Sequence, residues 1–113
     1  MMEGMRVLAR APDTLHLRLQ PTTVTFSQET MTQLVLSLGA DEETIVQQGL
    51  SLLAEADWTK DGIEIRREME LGARIQDTFA VDGDGRLLLT REVEFPMRKV
   101  KAVLVYSKGP QVP

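Results

Sequence analysis

The chain has 113 residues, no cysteine, and seventeen acidic against thirteen basic side chains, for a net charge of −4. Disulfides, thiol catalysis and a cysteine-based zinc site are excluded, and no apolar run is long enough for a membrane span. With 42% apolar and 27% charged residues but only five aromatics, the composition is that of a soluble globular chain with an aliphatic core, one domain or two very small ones.

The N-terminal residues Met1–Arg6 lack a basic start followed by an apolar stretch, so no secretory signal is expected and the expected location is cytoplasmic. Residues 5–20 read as strand material: Leu15, Leu17 and Leu19 alternate with His16, Arg18 and Gln20, after a turn at Pro12-Asp13. Pro21 interrupts the ladder. Thr22–Ser27 alternates again, with Val24 and Phe26 on one face and Thr23, Thr25 and Ser27 on the other.

The next two elements read as helices. Ser27 suits an N-cap, and Met31, Leu34, Val35 and Leu38 fall at helical spacing before Gly39, a C-cap residue. Asp41, Glu42 and Glu43 then suit the first turn of a second helix running to Trp58. Its apolar face is broad, with Val46, Leu50, Leu53 and Ala54 flanked by Ile45, Gly49, Leu52 and Ala56. A mid-helix glycine costs about 1 kcal/mol relative to alanine, which points to a close backbone approach at Gly49. From Ile63 the period returns to two. Strands are expected at 63–70, 73–81, 86–95 and 100–106, with Asp82-Gly83-Asp84-Gly85 as a hairpin turn and a frayed tail at 110–113.

Thr22–Ser27, Gln28–Leu38, Gly39–Glu43 and Thr44–Trp58, taken as strand, helix, turn and helix, resemble the ribbon-helix-helix family. The resemblance implies an α+β fold: a dimeric ribbon-helix-helix-like core followed by a small antiparallel β-unit. The chain then divides into N-terminal strands or arm (1–21), dimerisation module (22–60) and C-terminal β-rich unit (61–113). It also implies a homodimer whose interface holds Val24, Phe26, Leu34, Leu38, Val46, Gly49, Leu50 and Leu53. The competing arrangement is one helical hairpin packed on the C-terminal sheet of the same chain.

Charge decides between two functions for such a dimer. Residues 22–58 hold six acids (Glu29, Asp41, Glu42, Glu43, Glu55 and Asp57) and no Lys or Arg. Asp41, Glu42 and Glu43 would repel phosphate at the helix start where the family holds it. Affinity for duplex DNA comes largely from cations neutralising phosphates. The expected function is therefore a non-enzymatic interaction or regulatory module presenting this acidic helical face to a protein partner. The alternative is a DNA-binding transcriptional regulator or antitoxin component using Thr23 and Thr25 with Arg6, Arg10 and Arg18. Further basic groups lie at Arg66-Arg67 and at Arg98, Lys99 and Lys101, the latter read as a solvated edge.

His16, the sole histidine, reads as a surface residue. Asp82–Gly85 lacks the ligand spacing of a calcium loop, and nothing shows that Asp77 and Asp82 converge there. No nucleophile elbow or phosphate loop occurs, and no carboxylate pair can be singled out. No cofactor, metal or membrane partner is expected, and no enzymatic activity.

Overall fold

The computed structural model describes residues 15–28, 33–47, 49–69 and 72–106, and every regular element among them is a β-strand. β1 (Leu15–Leu19), β2 (Thr23–Gln28) and β3 (Leu34–Ser37) form a three-stranded antiparallel sheet in chain order. β4 (Glu43–Gln47), β5 (Leu50–Trp58), β6 (Gly62–Met69), β7 (Arg74–Val81), β8 (Leu87–Phe95) and β9 (Arg98–Tyr106) form a six-stranded meander. β4 covers β5 only as far as Ala54. Beyond it Leu38 takes up a parallel bridge to Ala56, and the Gly39 N–H donates to the Ala56 carbonyl at 2.8 Å. This splice ties the small sheet to the large one.

The α+β expectation is overturned, and the ribbon-helix-helix resemblance with it. Leu34 and Leu36 are buried while Val35 and Ser37 face out, a period of two within the stretch expected as the first helix. The stretch expected as the second helix is a hairpin: Leu52, Ala54 and Ala56 point inward while Ser51 and Leu53 point outward. Apolar residues on both faces of β5 satisfy a helical stripe as well as a strand, and short apolar runs do not separate the two. Gly49 sits at φ +76° in the two-residue turn between Gln47 and Leu50, so its use is a left-handed turn conformation and not a helix crossing. β2 is also unavailable as a dimer ribbon, because its two edges pair with β1 and β3 of the same chain. The four C-terminal strands follow the expected alternation.

The interior consists of two apolar clusters. The first contains Val24, Phe26, Leu34 and Leu36 from the small sheet and Ala54, Ala56, Ile63, Ile65, Phe79 and Leu89 from the large one. Phe26 and Phe79 meet across the sheets, ring centroids 5.5 Å apart and tilted by 57°, a favourable aromatic geometry. Leu15 and Leu17 of β1 and Leu104 and Tyr106 of β9 close over the same cluster, giving a barrel-like wrap. The second cluster holds Leu52, Met69, Ala73, Ile75 and Val93. Gly62 is required by close approach: a Cβ there would lie 1.8 Å from the Phe79 carbonyl oxygen.

Candidate functional site

A layer of charge separates the two clusters. On β6 the inward positions run Ile63, Ile65, Arg67, Met69; on β7 they run Ile75, Asp77, Phe79; on β8 they run Leu89, Arg91, Val93. In each strand one inward position is charged, and the register brings these positions together, with Asp77 directly opposite Arg91 and Ile65. Gln47, the last residue of β4, completes the layer from the far side of β5.

The geometry is well defined. Arg91 grips the Asp77 carboxylate with two bonds, Nε to Oδ1 at 2.7 Å and Nη2 to Oδ2 at 2.8 Å. Arg67 donates from Nη2 to the same Asp77 Oδ2 at 3.0 Å and from Nη1 to Gln47 Oε1 at 3.0 Å. Its guanidinium also lies 5.9 Å from the centroid of the Phe26 ring, within cation–π range. All four polar residues are buried. The Arg67 Nε–H is buried without a partner. Burial pushes the Arg67 pKa down; Asp77 opposes this, and the like charge of Arg91 adds to it.

On the outer face of β5–β7 lies a cleft of about 250 Å³ lined by Glu42, Leu53, Glu55, Arg66, Glu68, Arg74 and Gln76, with Arg67 and Ile75 at its floor. Arg66 is held there by Glu55, Asp57 and Glu64. Burial works against its charge, but these three carboxylates together raise its pKa above the ordinary arginine value. The local cation is already triply satisfied.

The residues singled out from sequence are scattered. Asp41, Glu42 and Glu43 are exposed in the approach to β4 and at its first residue, so no acidic helical face exists, and the protein-partner function built on that face falls with it. The DNA-reading alternative loses its paired ribbon because both edges of β2 are taken by β1 and β3 of the same chain. Thr23 and Thr25 are half-buried on β2, with Thr23 Oγ1 bonded to Gln20 Oε1 at 2.9 Å and Thr25 opposite the exposed Arg18. Arg6 and Arg10 lie outside the described residues.

Val24, Phe26 and Leu34 fill the chain's own core, Leu38 packs against it, and Leu50 packs on the second cluster. Val46 and Leu53 face outward, and Gly49 is in a turn, so no helical dimer interface is formed. His16 is exposed. Asp82 shapes its hairpin, accepting the Asp84 and Arg86 backbone N–H groups at 2.9 and 2.8 Å, while Asp77 points into the interior.

Sequence reasoning missed the layer of Gln47, Arg67, Asp77 and Arg91. The signal for three of its members was parity: each charge occupies the position that the neighbouring apolar residues assign to the interior.

Among the described residues no group of three or more His, Asp or Glu side chains is placed to hold a metal ion, and no helix is long and apolar enough to cross a membrane. Comparison with known proteins finds no matching family, no matching curated protein and no matching solved structure.

Proposed function

We propose that this chain is a non-catalytic binding module whose interior takes a small amphiphilic anion, with Arg67 as the recognising cation. The observation that carries this reading is the Arg67 Nε–H, a charged donor sealed from solvent and left without an acceptor. Buried polar groups are almost always satisfied, and an exception calls for a role or a missing partner. Arg67 has only a share of Asp77 and one neutral acceptor, Gln47. A carboxylate on Nε would satisfy the donor and offset the charge.

The apolar clusters on either side of the layer suit the body of such a ligand. The second cluster is the less sealed one, with Met69 and Ala73 each 8% exposed beside the Gly72 turn. Methionine there can repack around a guest. Entry is expected from that end.

The test is a titration of the labelled protein with alkyl carboxylates of increasing chain length and with the matching alcohols, following the Arg67 side-chain Nε–H resonance by NMR. The expected result is a saturable shift of that resonance with carboxylates only. If no carboxylate moves it, the layer is an architectural device that sets strand register and the reading fails.

A further inference from the structure

The hairpin joining β8 to β9 combines an exposed apolar turn with flanking basic side chains. Pro96 and Met97 form its turn between the paired residues Phe95 and Arg98, and Met97 is 96% exposed. Val100, two residues along the same face as Arg98, is 43% exposed. Arg98 lies over the Phe95 ring at 5.7 Å, so its aliphatic stem shares the apolar side of the tip. Lys99 and Lys101 project from the opposite face, well exposed, and both reach Glu92, at 3.4 and 3.9 Å. From Phe95 to the last residue the sequence contains Arg98, Lys99, Lys101 and Lys108 and not one carboxylate. The antiparallel order puts the turns at 59–61 and 82–86 at the opposite ends of these strands, where Lys60 and Arg86 stand against Asp61, Asp82 and Asp84 and Arg86 pairs with both Asp82 and Asp84.

We propose that the β8–β9 tip docks this protein on the surface of a bilayer carrying anionic lipids. Met97, Pro96 and the exposed edge of Val100 enter the headgroup boundary, and Arg98, Lys99 and Lys101 meet the lipid phosphates and carboxylates. Apolar burial plus cationic attraction is the combination that holds interfacial elements on anionic membranes. With Arg98, Lys99 and Lys101 set against Glu92 and Glu94, the tip is the more basic end of these strands, which favours a tip-first approach. Nucleic acid offers the cations a partner as well but leaves the exposed methionine without a role. Docking stands apart from the interior site and requires no ligand there.

The experiment is co-sedimentation of the whole chain with vesicles of phosphatidylserine and phosphatidylcholine, with phosphatidylcholine vesicles and duplex DNA as controls. Binding to the anionic vesicles alone is expected, weakening as salt is raised. Met97→Asp, on an exposed turn, should keep the wild-type melting curve and lower the partition coefficient roughly tenfold. Lys99→Glu/Lys101→Glu should abolish binding. No sedimentation with anionic vesicles overturns the proposal. Undiminished binding of Met97→Asp overturns it too, as does duplex binding without vesicle binding, which would make the surface a nucleic-acid site.

Discussion

Replacing Asp77 by Asn tests whether the interior charge layer holds the fold together. Its carboxylate accepts three guanidinium bonds, two from Arg91 at 2.7 and 2.8 Å and one from Arg67 at 3.0 Å. Hydrogen bonds to charged groups are worth about 1.5–3 kcal/mol each, so independent loss of all three would reach roughly 5–9 kcal/mol. Asparagine keeps one acceptor, which recovers part of this, but it turns its NH₂ toward a guanidinium donor and leaves two buried cations without their shared counter-charge.

The expected cost is therefore about 3–5 kcal/mol, as for other buried pairs that lose one partner. Against a total stability of about 5–15 kcal/mol, that is a large share. Urea unfolding followed by far-UV circular dichroism would show the midpoint falling with an unchanged slope. The melting temperature should drop by about 12 °C or more. Arg67→Met should cost less, because it leaves the two-bond grip of Arg91 on Asp77 intact. A loss below about 1 kcal/mol for Asp77→Asn, within the range of an ordinary substitution, would refute the reasoning. So would a reversed order of the two variants.

Gly62→Ala places a methyl group 1.8 Å from the Phe79 carbonyl oxygen, so the β6–β7 pairing must shift; a loss of at least about 1–3 kcal/mol is expected in urea unfolding. Leu53→Lys, on the outer face of β5, should change stability by no more than about 0.5 kcal/mol, whereas Phe26→Ala, in the core, should cost about 3–5 kcal/mol. Equal effects in the same assay would contradict the strand assignment. Asp82 is held below the usual carboxylate pKa by the Arg86 backbone N–H first; desolvation opposes this, and the Asp84 N–H and the Arg86 side chain add to the lowering. A depressed folded pKa stabilises above the unfolded value. The Asp82 contribution should thus be present at neutral pH and disappear as pH falls through the folded value. Asp82→Ala should flatten that acid limb of the stability curve.

The legible parts of the fold were those in which local pattern and turn chemistry agree. β7 and β8 flank Asp82–Gly85, where alternation, glycine and an aspartate able to accept turn N–H groups all indicate a hairpin. β5 was illegible because Leu52, Leu53, Ala54 and Ala56 satisfy two periods at once, and leucine and alanine favour helices when nothing else decides. Gly39 reinforced the error, because its φ of +76° suits a helix end or a strand turn equally, whereas Gly49 was already unfavourable in mid-helix and takes the same φ in the β4–β5 turn. The interior layer was half legible. The period-two reading of β6 reached Ile65 and Arg66, and one more step would have put Arg67 on the buried face.

Composition alone excluded disulfides and thiol chemistry and required an aliphatic core, and alternation with the turn at Asp82–Gly85 marked the last four strands along the chain but not their order in a sheet. Both follow from local chemistry, the redox capacity of cysteine and the two-residue repeat of a pleated strand. Whether residues 34–58 would be helix or strand, and whether Arg67, Asp77 and Arg91 would meet, depended on partners distant in the chain. A helical hairpin would have left the edges of β3 and β6 without those partners. Only the assembled sheets provide the Ala56 carbonyl that receives Gly39 and the register that sets Asp77 against Arg91.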